Sequence, residues 1–295
     1  MIVPIQGYNT AMSPVVINQE SGEEATYDDA LYAHGGHPEA VTGFDAVDAA
    51  AVARFETEGY LLIRGAFTRQ ELAQAGEGLE DMIQERTGGS YELNFERHAG
   101  DLGGLSPAQR SAAVRKVFQY HGVDARCDAM IHHPKLRALL ERLGFVRPHV
   151  LQTMALLKGP GGREKAWHQD KAYFNLRTEE RAVGAWIALD PATIENGCMH
   201  ILPGMHHTPR IHFHRRDWQI CDTDIASLGV TCLAVEMAPG DLLMFDSMLP
   251  HGTPRNTTRR RRRALQCHYL AGDTQLGDDR DRFANFGNAG KDVTC

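Results

Sequence analysis

The spacing of apolar residues changes character partway along the chain. From residue 45 to residue 147 it is mainly helical. Asp45–Glu58 places Val47, Ala50, Ala51 and Phe55 on one stripe, and Gly59 ends the helix. Tyr60–Ile63 is a short apolar run that reads as a strand. Thr68 followed by Glu71 is a capping box, and the helix it opens buries Leu72, Ala75, Leu79, Met82 and Ile83 before Gly88-Gly89. Ser106-Pro107 is a third helix start, with Ala113, Val114, Val117 and Phe118 on one face and Lys116 near the end. Pro134–Leu143 is a fourth helix, closed by Gly144.

Beyond Pro148 the runs shorten and Gly and Pro punctuate them. Val150–Leu157, Val183–Leu189, Cys198–Leu202, Cys232–Met237, Leu242–Phe245 and Ala264–Leu270 read as strands. Turn chemistry separates them at Gly159-Pro160-Gly161-Gly162, Glu195-Asn196-Gly197 and Pro239-Gly240-Asp241. Helices first and many strands afterwards predict an α+β, mainly β fold: a barrel or sandwich with helices packed on one side. Residues 1–44 and 271–295 lack a sustained period and read as an irregular arm and tail. No repeat or internal boundary appears, so residues 1–295 are expected to form a single domain, with helical support over 45–147 and the β core over 148–270.

Composition narrows the function classes. The chain has 295 residues, 42% of them hydrophobic, which suffices for a large core. A net charge of −7 argues against nucleic acid as the main partner. No apolar run reaches the roughly 18 residues of a membrane span. The first residues lack a basic region followed by an apolar stretch, so no signal peptide is expected. Six cysteines occur without a Cys-x-x-Cys pair, which fits reduced thiols in a cytoplasmic protein.

The candidate chemistry begins at Trp167-His168-Gln169-Asp170. His168 and Asp170 are two apart, so on an extended strand both side chains leave one face. His251 stands far downstream in Leu249-Pro250-His251-Gly252-Thr253. Two imidazoles and one carboxylate form the facial set that holds Fe(II) with open positions, and they suit it better than Mg2+. Zinc takes the same donors and stays open at this level. Arg262 then opens the last strand-like run, where its planar fork matches a carboxylate. It lies within five consecutive arginines, Arg259–Arg263. Strand alternation puts Arg262, Ala264, Gln266 and His268 on one face and Arg263, Leu265 and Cys267 on the other.

These motifs, in this order, resemble the phytanoyl-CoA dioxygenase family of Fe(II)/2-oxoglutarate oxygenases. The matching text is WHQDKAYF (167–174), AWIAL (185–189), ENGCMHILPGMHH (195–207), PGDLLMFDSMLPHGTPRN (239–256) and RRALQCHYL (262–270). The resemblance implies a double-stranded β-helix, the jelly-roll, cupin-like barrel, with N-terminal helices on one side. It implies that His168, Asp170 and His251 bind iron and that Arg262 binds the distal carboxylate of 2-oxoglutarate. It adds Lys116, Trp186, Gln152 and Met154 as co-substrate neighbours; Thr253 can hydrogen-bond the same carboxylate.

The expected reaction is oxidation of a C–H bond of a small molecule with O2, releasing succinate and CO2. Hydroxylation is the default; desaturation, epimerisation and ring closure remain open. Halogenation is disfavoured because Asp170 fills the position a halide needs. A silent ligand-binding barrel and a zinc hydrolase are the rival classes. Tyr120, His121, Tyr173, Phe174, His200, Met205 and His206 lie near the motifs as candidate pocket residues. For His200 and His206, hydrogen-bonding or surface roles are favoured over metal ligation.

Overall fold

The computed structural model describes residues 15–19, 28–207, 213–214, 219–220, 225 and 227–287. Along the chain its strands are β1 (Val16–Gln19), β2 (Ala40–Thr42), β3 (Tyr60–Arg64), β4 (Glu92–Phe95), β5 (Val114–Phe118), β6 (His149–Lys158), β7 (Lys165–His168) and β8 (Val183–Ala188). There follow β9 (Met199–Ile201), β10 (Phe213–His214), β11 (Gln219–Ile220), β12 (Leu233–Val235), β13 (Leu242–Asp246), β14 (His251–Thr253) and β15 (Arg262–Leu270). The helices are α1 (Ala49–Glu58), α2 (Arg69–Ile83), α3 (Pro107–Ala113), α4 (Ala125–Ile131), α5 (Pro134–Arg142) and α6 (Asp279–Phe286).

Among the described residues nine strands form one sheet, in the order β1-β4-β5-β6-β15-β8-β13-β3-β2. A second sheet has the order β12-β9-β14-β7, and β10 pairs with β11. Alternation along the large sheet decides what each face meets. Leu61, Ile63, Leu93, Val117, Ala155, Ile187, Met244 and Leu265 face the helices, where they pack with Phe55, Leu79, Met82, Leu136 and Leu139. Tyr60, Leu62, Trp186, Leu243 and Phe245 face the small sheet and meet Met199, Ile201, Ala234 and Val235. Two sheets with a shared interior and helices outside one of them make the expected jelly roll. Each fully buried large side chain in these layers contributes about 1.5–3 kcal/mol relative to exposure.

Local chemistry sets the helix ends. Asp48 caps α1 by accepting from Ala51 N–H at 2.8 Å. Gly59 ends it at φ +80°, donating its N–H to Phe55. A side chain there would also meet the His206 ring, 2.6 Å from the Cβ position. Thr68 and Glu71 form the reciprocal capping box of α2, and Ser106 and Gln109 form that of α3.

Several expectations need correction. The third helix stops at Ala113, and Val114–Phe118 is a strand between β4 and β6, so Lys116 lies on a sheet. The run Val-Arg-Lys-Val-Phe holds two β-branched residues and an aromatic, and paired neighbours on both sides outweigh helix propensity there. The stretch 45–147 thus supplies β3, β4 and β5 to the large sheet as well as helices. The arm is not wholly irregular, since β1 and β2 pair in parallel with β4 and β3. The tail carries α6, whose capping box joins Asp278 and Asp281. Cys127, Cys198, Cys232 and Cys267 are free and buried; Cys221 and Cys295 lie outside the described residues. No helix among the described residues is long and apolar enough to cross a membrane.

Candidate active site

The small sheet brings two histidines face to face. β7 ends on His168, β14 begins on His251, and the two residues are direct antiparallel partners. The backbone stays extended through Gln169 and then turns into a single 3-10 turn, Asp170–Tyr173, which swings the carboxylate back toward the imidazoles. Gln169 pins this corner by donating to Met248 O at 2.6 Å.

Hydrogen bonds select the tautomers. His168 Nδ1 lies 2.7 Å from Ala166 O and His251 Nδ1 lies 2.9 Å from Leu249 O. A carbonyl only accepts, so each Nδ1 carries the proton and each Nε2 presents a lone pair. His168 Nε2 is 3.3 Å from Asp170 Oδ1, and His251 Nε2 is 3.6 Å from Asp170 Oδ2. One donor atom from each of the three residues falls within 4.8 Å of the others, and all three residues are buried. Burial, with His168 alongside, lowers the His251 pKa to about 4, so its ring is neutral at ordinary pH. Burial alone would raise the Asp170 pKa, but His251 and His268 beside it, with the hydrogen bond from His268, hold it well below the usual carboxylate range.

β15 supplies a support for that carboxylate. His268 Nε2 lies 2.7 Å from Asp170 Oδ2, and Gln266 Nε2 donates to the same oxygen at 3.2 Å. Both come from the predicted inward face of this strand, while Leu265 and Cys267 pack among the helices and Arg263 grips Asp190 with two bonds of 2.8 Å.

Arg262, on the same inward face, is 2% exposed. Its Nε and Nη1 are buried without a hydrogen-bond partner, and its guanidinium lies 5.3 Å over the Trp186 ring. Burial lowers its pKa to about 10. Directly opposite in register stands Lys158, also buried. Its ammonium donates to Thr253 Oγ1 at 2.8 Å, Thr253 O at 3.2 Å and Pro254 O at 2.5 Å. Burial, then the charge of Arg262, pushes the Lys158 pKa well down. Buried guanidinium donors without partners are rare unless an anionic ligand meets them. The residues present therefore fit a bound carboxylate next to a metal held by nitrogen and oxygen.

The profile of the phytanoyl-CoA dioxygenase (PhyH) family matches residues 55–264. The chain belongs to the phytanoyl-CoA dioxygenase family. Membership makes it an enzyme, an oxidoreductase of the iron- and 2-oxoglutarate-dependent dioxygenases. Among curated relatives, the phytanoyl-CoA dioxygenase domain-containing protein 1 homolog of Caenorhabditis briggsae is 24% identical over 254 residues, covering 73% of this chain and 88% of the relative. The phytanoyl-CoA dioxygenase of Arabidopsis thaliana is 26% identical over 247 residues, covering 74% and 87%. Among solved structures, the non-haem α-ketoglutarate-dependent carbocyclase SnoK of nogalamycin biosynthesis superposes with a TM-score of 0.63 at 19% identity, over 81% of this chain and 90% of that one. EctD from S. alaskensis, with 2-oxoglutarate and 5-hydroxyectoine, does so at 0.63 and 21%, over 79% and 80%. These two likenesses carry the fold.

The cavity of this family member gathers the candidate metal-binding and co-substrate residues. His168, Asp170, His251 and Arg262 line it, and so do Thr253, Trp186, Lys116, Gln152 and Met154. Of the looser candidates, Tyr173 and Phe174 line it as well. Tyr120 lies in the helix-side core instead, and His121, Met205 and His206 are not among the lining residues. His200 bonds Cys198 O at 3.2 Å and His206 bonds Glu56 O at 3.1 Å, hydrogen-bonding roles as expected. Sequence reasoning missed Lys158, and it placed Gln266 and His268 on the right face without seeing what they hold. Lys158 had one signal: it ends a strand directly before the Gly159-Pro160-Gly161-Gly162 turn, where a lone lysine looks like surface charge.

Proposed function

We propose that this chain oxidises an unactivated C–H bond of a small molecule, hydroxylation being the default, with O2 and 2-oxoglutarate consumed and succinate and CO2 released. His168, Asp170 and His251 would hold the ferrous ion. That ion supplies the dioxygen chemistry that no side chain provides. The observation that carries the reading is Arg262: a buried guanidinium with two unpartnered nitrogens in the cavity that the three candidate ligands share.

The chain's own groups then have distinct tasks. Arg262 takes the distal carboxylate of 2-oxoglutarate as a charge-assisted fork. Thr253 directs its hydroxyl proton to the same carboxylate, because its oxygen already accepts from Lys158. Trp186 backs the guanidinium, and Lys116, Gln152 and Met154 wall the co-substrate. Gln266 and His268 hold the Asp170 carboxylate in one orientation. Neutral His251 needs no deprotonation before it ligates. The large sheet, which draws strands from residue 16 to residue 270, supports reading the chain as one working domain. Reduced, buried cysteines support a cytoplasmic setting.

The test is release of succinate from 2-oxoglutarate by protein loaded with Fe(II), with candidate small molecules screened for stimulation. Dependence on both iron and 2-oxoglutarate is the expected result. Tight stoichiometric zinc with hydrolysis and no use of 2-oxoglutarate would replace this reading with a zinc hydrolase. Ligand binding without turnover would leave a silent barrel.

A further inference from the structure

Away from the cavity, a second group of metal-ligating side chains meets at the C-terminal end of α4. We propose that His121, Asp128 and His132 form a second divalent-cation site, selective for zinc-like ions with nitrogen-donor preference.

The fold places these three with little freedom. Asp128 and His132 are four apart, one on α4 and the other at its C-cap, so they project from one helix face. His121 comes from the turn after β5, and its N–H donates to Thr153 Oγ1 on β6 at 3.1 Å, fixing that turn against the sheet. Gly122 N–H donates to both Asp128 oxygens at 3.1 Å, which holds the carboxylate toward the histidines. His121 Nε2 and His132 Nε2 lie 2.8 Å apart. One donor atom from each of the three falls within 4.8 Å of the others. None of the three lines the cavity described above.

A His–His hydrogen bond accounts for the 2.8 Å separation, and the Gly122 N–H keeps the Asp128 carboxylate within ligand reach of both ring nitrogens. Zinc–nitrogen bonds of about 2.0–2.1 Å at a tetrahedral angle place two nitrogens about 3.3–3.4 Å apart. Opening the pair by about half an ångström reaches that geometry, and His132 is exposed and has room to swing. Two imidazoles and one carboxylate are a zinc-type set; an all-oxygen ion such as Mg2+ or Ca2+ has no use for the nitrogens. Three protein ligands leave the fourth position to water. A bound ion would clip the His121 turn to α4.

The site stands independently of the proposed oxygenase chemistry, and its test keeps the two apart. Metal-free full-length protein is titrated with Zn(II) against a chromophoric chelator. The cavity set and the α4 set together should take up two equivalents. His132→Ala should lose one equivalent and retain iron-dependent succinate release, because His132 is exposed and outside the cavity. His121→Gln should lose the same equivalent. Asp170→Ala should weaken the other one and leave the α4 site filled. Crystals soaked in Zn(II) should show an anomalous peak between the two rings. Equal zinc uptake by native protein and by both histidine variants, or no anomalous density between His121 and His132, would overturn the proposal.

Discussion

Arg262→Met separates a ligand-binding arginine from a structural one, because the two roles predict opposite signs for stability. In the free protein the guanidinium is 2% exposed with two nitrogens unpartnered. Burial takes its pKa from the ordinary arginine range down to about 10, a penalty on the order of 3 kcal/mol for keeping the charge at neutral pH. The sign follows from linkage. Above about pH 10 the unfolded chain holds the proton that the folded chain has shed, so stability rises with pH there and the penalty is fully present below it. Methionine fills similar space over Trp186 without the charge. The free variant should therefore melt several degrees higher, at about 2–4 °C per kcal/mol for a chain of this size.

Binding of 2-oxoglutarate should move the other way. Its distal carboxylate would enter a dry pocket with the Thr253 hydroxyl in place of a fork. Breaking a buried charge pair costs about 3–5 kcal/mol, or at least a 100-fold rise in KM for 2-oxoglutarate. Succinate release measured against 2-oxoglutarate concentration reads the second effect, and thermal melts of the metal-free protein read the first. A variant that melts lower than the native chain and keeps its KM would show that Arg262 serves packing, and the co-substrate assignment would fall with it.

Three further outcomes are expected. Asp170→Ala should abolish turnover while two histidines still bind metal weakly; full activity in that variant would remove the carboxylate from the ligand set. Gly184→Ala should destabilise by about 1–3 kcal/mol in denaturant melts, because its Cβ would sit 2.4 Å from the buried Phe245 ring that packs against His251. Metal-free protein should lose up to about 3 kcal/mol between pH 6.5 and pH 4, since unfolded His251 takes up a proton there that the folded ring, with its pKa lowered to about 4, refuses; denaturant melts that are flat over this window would contradict the buried neutral ring.

Much of this molecule is written in short stretches of chain. The helix starts at Thr68 and Ser106 are local reciprocal hydrogen bonds, and both form as expected. A period of two alone sorts β15 into two faces, and the likeness of the Arg262 spacing to the family's picks the inward one. His168, Asp170, His251 and Arg262 stand out as candidates because their motifs follow one another in the order and at the spacing that resemble the family's. Other features depend on what lies across space. Val114–Phe118 has an amphipathic pattern compatible with a helix, and the β4 and β6 neighbours make it a strand. Lys158 is an ordinary charged residue until Arg262 pairs with it in register and Thr253 covers it. His268 and Gln266 acquire their task only because a 3-10 turn nearly a hundred residues earlier presents Asp170 to them. His121 and His132 likewise meet through a turn that Thr153 holds in place. Periodicity and capping are properties of neighbours in sequence, so the chain declares them by itself. Burial, desolvation and the sharing of one carboxylate by several donors arise between distant segments, and they exist only once the sheets have closed.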